Sequence, residues 1–165
     1  MPASLHLLAG LFLAALVVSP DTPRDSTPDL VARFEHEPNP VHKAKMMQKL
    51  GGAEFREIEK DVASRQFDAA AQVLGRYHAQ AEECSKQLDD AHIDAVKKPA
   101  GFKQLQMSVR EALERLDRLI STMNADEQVR LRKDRDDLEE LNSHLLQELF
   151  PGQKPRRSYH HIPIP

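Results

Sequence analysis

Between Phe67 and Ala95 the apolar residues return every three or four positions without a break: Phe67, Ala70, Leu74, Tyr77, Ala81, Cys84, Leu88, Ala91 and Ala95. Those side chains can be buried together only along one face of an α-helix, because in a strand they would scatter over both faces. The stripe has a and d spacing, so the helix needs partners with a matching seam. At 1.5 Å per residue it would be roughly 45 Å long. Phe102, Leu105, Val109, Ala112, Leu116, Leu119 and Met123 supply one partner. Leu131, Leu138, Leu141, Leu145 and Leu149 supply another, over about Asp126 to Leu149.

Upstream of this core, Asn39-Pro40 reads as an N-cap followed by proline at the first helical position. A short helix is expected over Pro40 to Leu50, closed by Gly51-Gly52. A second is expected over Ala53 to Arg65, with Phe55, Ile58 and Val62 on one face. Asp68 is a candidate N-cap for the long helix that follows, and Pro99-Ala100-Gly101 breaks it from the next. Asn124 ends the fourth helix or caps the fifth, and Pro151-Gly152 stops the fifth. The connections are short, so neighbouring helices should run antiparallel. The expected fold is all-α: an antiparallel bundle of three long helices with two short N-terminal helices packed at one end.

The helical domain is expected over residues 40–150. Residues 20–39 carry Pro20, Pro23, Pro28, Pro38 and read as a Pro-rich linker. The tail 151–165 is basic through Lys154, Arg156 and Arg157, lacks any period, and reads as disordered. At the other end, Leu5 to Val18 is apolar and free of Asp, Glu, Lys and Arg. Its length suits the core of an export signal and falls short of the roughly 20 residues of a membrane span. Residues 1–19 are therefore expected to be a signal peptide or an uncleaved N-terminal anchor. Pro20 follows the Val17-x-Ser19 cleavage pattern and should hinder processing. The expected location is exported, periplasmic or secreted, with membrane contact only through this segment.

Composition narrows the chemistry. Charged residues make up 30% of the chain in mixed sign, and the net charge is −3. A nucleic-acid binder would show a strong basic excess instead. A single cysteine, Cys84, leaves stability to packing rather than to disulfides. Cys84 lies on the seam, where a small apolar role is expected and a reactive thiol is not. There is no Gly-rich phosphate loop, nucleophile elbow or zinc-spaced cysteine set. The sequence therefore assigns no catalytic residue, cofactor or metal ligand, and indicates no small-molecule substrate.

Two pairs mark the sharpest chemical alternative. His78 with Glu82, and Glu140 with His144, are each spaced four apart and share a helix face. On facing helices they would make a metal site, but both lie beside the seam and read as solvated surface pairs. Glu111–Arg115, Glu114–Arg118, Arg130–Asp134 and Arg135–Glu139 read the same way. Asp134 and Arg135 occupy seam positions between Leu131 and Leu138. Charge there is costly unless paired, so the first turns of the fifth helix are expected to splay or to offer a polar surface to a partner.

Phe67-Asp68-Ala69-Ala70 with Leu74 resembles the second helix of a tetratricopeptide repeat. No second copy follows at the repeat spacing, so an αα-hairpin is the better reading. The stretches Asn39-Pro40-Val41-His42-Lys43-Ala44-Lys45 and Lys97-Lys98-Pro99-Ala100-Gly101-Phe102-Lys103 resemble segments of exported all-helical bacterial proteins that carry no assigned activity. That resemblance implies an exported helical domain and no functional residues. The expected function is a non-catalytic exported module, binding a protein partner or serving as an envelope scaffold. The alternative is a periplasmic metal-binding protein, suggested by the seven histidines that follow the apolar run.

Overall fold

Asn39 sets the start of the main helical unit. Its side-chain oxygen accepts from the backbone N–H groups of Val41 and His42 at 3.0 and 3.1 Å, and Pro40 occupies the first turn. In the computed structural model, which describes residues 26–152, five helices follow one another. They are α1 (Thr27–Glu35), α2 (Pro40–Ala63), α3 (Phe67–Asp90), α4 (Ala100–Ile120) and α5 (Ala125–Leu149). The fold is all-α.

The bundle has four long helices rather than three. Gly51-Gly52 does not end a helix: α2 runs through it for 24 residues. The reason lies in α3. A Cβ on Gly51 would stand 2.8 Å from Cε2 of the fully buried Tyr77, so only glycine lets that ring lie against α2. The helix-propensity penalty of about 1 kcal/mol for a glycine is outweighed by the close packing it permits. The Tyr77 hydroxyl donates to the Ser108 carbonyl at 3.0 Å, and its ring meets Phe55 edge-on at 5.3 Å. One side chain thus ties together α2, α3 and α4.

Packing pairs place the helices. α2 and α5 stand at opposite corners, each flanked by α3 and α4. Val41 lies beside Gly101 and Glu59 pairs with Arg115, so α2 and α4 run the same way. Asp68 pairs with Arg130 and Asp89 with His144, so α3 and α5 run together in the opposite sense. The short turns join antiparallel helices, as expected, but parallel neighbours also occur because α3 and α4 meet across the diagonal.

The seam residues form the core. Leu74, Tyr77, Ala81, Cys84, Leu88, Leu105, Val109, Leu116, Leu131, Leu138 and Leu145 are all buried. The long helix ends earlier than its stripe predicts. α3 stops at Asp90, Ala91 is exposed, and Ala95 is buried from within a loop instead. His92 there has a φ of 50°, and the Asp94 carboxylate accepts from the N–H groups of Val96 and Lys97. That local capture of backbone donors competes with the helix. Asp68 is not the N-cap of α3; that place falls to Gln66, which makes no side-chain cap bond.

The Pro-rich linker also needs correction. Its second half is α1, started by a reciprocal capping box between Ser26 and Asp29. Leu30 and Phe34 of α1 are buried, with the Lys43 ammonium 4.9 Å from the centre of the Phe34 ring. Among the described residues the helical unit therefore includes α1 and reaches back to Ser26, upstream of residue 40. Residues 1–19, expected to be a signal or anchor, lie outside the described residues, as does most of the tail expected to be disordered. No helix among the described residues is long and apolar enough to cross a membrane.

The first turns of α5 do not splay. Asn124 and Glu127 form a capping box, Gln128 donates to the carbonyls of Ile120 and Met123, and Leu131 is fully buried. Arg65 reaches Glu127 at 2.5 Å, and Arg130 reaches Asp68.

The two adjacent glycines of α2 give a contrast. Gly51→Ala should destabilise by about 1–3 kcal/mol, because the pinned Tyr77 ring cannot yield. Gly52→Ala meets only the Arg56 guanidinium at 3.9 Å and should stabilise by about 0.5–1 kcal/mol. Chemical denaturation of both variants checks this; equal changes would mean Tyr77 is not packed on Gly51.

Candidate metal centre

α3 and α5 run side by side, and at mid-length their interface turns polar. Gly75 on α3 leaves room for α5: a Cβ there would lie 3.9 Å from Oδ2 of Asp134. One turn on, His78 faces the same part of α5. Its Nδ1 is 3.5 Å from Asp134 Oδ1, and its Nε2 is 3.3 Å from Glu82 Oε1 on its own helix. Asp137, one turn beyond Asp134, joins them. One ligand atom each from His78, Asp134 and Asp137 can be chosen so that all lie within 4.8 Å of one another.

The imidazole is mostly enclosed, with 13% of its side chain exposed. Nε2 is shut off from solvent and makes no well-formed hydrogen bond. Both imidazole nitrogens face carboxylate oxygens, Nδ1 that of Asp134 and Nε2 that of Glu82. Asp137 is held in part by Lys133, whose Nζ lies 2.5 Å from Oδ2. That hydrogen bond keeps the Asp137 carboxyl below its ordinary range, and His78 adds to the effect. An ionised carboxylate is the form that binds a cation.

Of the two pairs singled out in the sequence, only His78 and Glu82 belong here. Glu140 is exposed, and His144 turns to Asp89 at 3.5 Å, so these two do not face the α3 pair. Asp134 and Asp137 escaped the sequence reading, which treated Asp134 as a flaw in the stripe. Their spacing of three on one helix face is the signal that could have found them. Arg135 leaves the seam altogether and reaches Asp117 on α4 at 3.0 Å.

Other ionisable groups are accounted for by structure. Burial pushes the Cys84 thiol up to about 12, so it stays protonated and unreactive at neutral pH. Arg115 pairs with Glu59 at 2.8 Å and lies over Phe55, instead of bonding along its own helix to Glu111. Glu54 is fully buried on α2, with Arg76 Nε at 2.6 Å and its second oxygen unpaired. Arg76 also lines an open cleft of about 590 Å³ between α1 and the bundle, with Val31, Glu35, Glu57 and Lys60. No family model, curated protein or solved structure matches this chain.

Burial raises the Glu54 pKa, and the Arg76 hydrogen bond only partly offsets it. A folded-state pKa above the ordinary 4.5 stabilises the fold fully below pH 4.5, and the contribution is lost as pH climbs through the raised value. The stability of the natural chain relative to Glu54→Gln should therefore be greatest in acid and decline toward neutrality. Urea unfolding of both at a series of pH values measures the difference. A gap that widens with rising pH would reverse the assignment.

Proposed function

We propose that this chain is an exported, non-catalytic helical module that works by binding another protein. The resemblance of its Asn39–Lys45 and Lys97–Lys103 stretches to exported helical bacterial proteins supports the location. So does the apolar run Leu5 to Val18, which has the length and composition of an export signal. The observation that carries the binding role lies at the end of the bundle where α3 and α5 finish. Three of the five large apolar side chains that are exposed among the described residues belong to this end: Val96 in the loop, Leu146 on the last turns of α5 and Phe150 at its cap, 59%, 37% and 51% exposed; Met107 on α4 and Val129 in the first turns of α5 are the other two. Exposed large apolar side chains that lie near one another mark interaction sites.

A second reading is favoured by one specific observation, the meeting of His78 with Asp134 and Asp137. On that reading the chain is a metal-binding helical protein of the cell envelope.

Fractionation tests the location: the full-length chain made in a bacterium should leave the cytoplasm, while residues 20–165 alone should remain there. A full-length chain found wholly in the cytoplasmic fraction would defeat export. Site-specific photocrosslinkers test the surface. Placed at Val96 or Phe150 they should yield one discrete adduct in the native envelope, and placed at exposed Arg118 or Glu140 none. Adducts of equal yield from all four positions would remove the reason for choosing this end.

A further inference from the structure

We infer that His78, Asp134 and Asp137 bind a divalent cation of the zinc class between α3 and α5, with Glu82 orienting the imidazole; this rests on the second reading above.

The geometry points there in three ways. Ligand atoms about 2.1 Å from a tetrahedral zinc stand about 3.4 Å apart. The separation of His78 Nδ1 from Asp134 Oδ1 is 3.5 Å. Asp137 completes a set in which one ligand atom from each residue lies within 4.8 Å of the others. A cation on Nδ1 would also leave the imidazole proton on Nε2, 3.3 Å from Glu82 Oε1. A carboxylate holding the outer N–H of a metal-bound histidine is the usual support for such a ligand. Finally, the site joins two helices. Cross-linking α3 to α5 at mid-length gives binding a structural consequence, since a ligand held only by the folded form stabilises it.

The donor set sets the class of ion. One imidazole and two carboxylates suit zinc and its first-row neighbours, whereas magnesium and calcium prefer oxygen alone. Three protein ligands leave one position of a tetrahedral ion for water. Lys133 stands at the rim on Asp137, so binding must displace its ammonium or use the other carboxylate oxygen.

Calorimetric titration of the full chain with zinc chloride is the test. One equivalent should bind tightly, raise the melting temperature, and resist displacement by millimolar magnesium. His78→Gln and Asp134→Asn should each abolish the tight event while leaving the helical circular dichroism unchanged. Glu82→Gln should weaken it about tenfold, and His144→Gln should leave it intact. The absence of any tight equivalent would overturn both this inference and the metal-binding reading. A tight equivalent that survives His78→Gln and Asp134→Asn would overturn the site alone and place the metal elsewhere, with His160 and His161 as the next residues to replace. Neither result would touch the export and partner-binding proposal, which is read by fractionation and crosslinking.

Discussion

Tyr77 is the side chain through which three of the four long helices make contact. Its ring takes the space a Cβ on Gly51 would fill, meets Phe55 at 84°, and sends its hydroxyl to the Ser108 carbonyl. A buried hydroxyl without a partner would cost about 1–3 kcal/mol, so the bond fixes the height of α3 against α4. The glycine fixes its closeness to α2. Burial also keeps the phenol protonated by raising its pKa, with the Glu54 and Glu111 carboxylates adding to the effect. The near-diagonal approach of α3 and α4 follows from this contact, and with it the parallel placing of α2 beside α4 and α3 beside α5.

Around this centre the charges bridge helices more than they run along them. The Lys43 side chain is buried, with Glu83 of α3 at 2.6 Å and the Phe34 ring of α1 beneath it. Glu54 meets Arg76, Arg115 meets Glu59, and Arg135 meets Asp117. Such pairs add little net stability where solvent reaches them. Their effect is on register: a slipped neighbour would strand Lys43 or Glu54 without a partner inside the fold, which is costly. Apolar seams of similar leucines tolerate sliding, and the buried charges do not.

The same logic separates the polar zone of α3 and α5 from the rest of the surface. Lys43, Glu54, Arg115 and Arg135 each have an opposite charge against them. At His78 the neighbours are Glu82, Asp134 and Asp137, and the nearest lysine, Lys133, is engaged by Asp137. Excess negative charge about one imidazole is the arrangement a cation completes. The apolar end at Val96, Leu146 and Phe150 is a separate surface made by the loop after α3 and the last turns of α5. It lies opposite the Asn124-Ala125-Asp126 loop and the first turns of α5 that follow it, which the sequence suggested would splay or offer a polar surface to a partner. That loop's helix is capped and pinned to α3 and to the α2–α3 turn.

Periodicity in the sequence determined that the chain is helical, which residues face the core, and roughly where α4 and α5 begin and end. Those features are local: a step of three or four places side chains on one face, and Asn124 or Asn39 satisfies backbone donors within its own turn. Phe67 to Leu88 were legible on the same ground. Tertiary structure decided the rest. Gly51-Gly52 has the local signature of a stop, and only the Tyr77 ring, 26 residues away in the chain, turns it into a close contact within one long helix. The Ser26–Asp29 box was hidden among prolines, and α1 is held by burial of Leu30 and Phe34 that no local pattern specifies. Asp134 looked like a flaw because a seam position was assumed to face leucines, whereas it faces the gap beside Gly75. Which residues meet across a bundle depends on the relative height of the helices, and that height is set by side chains far apart in sequence.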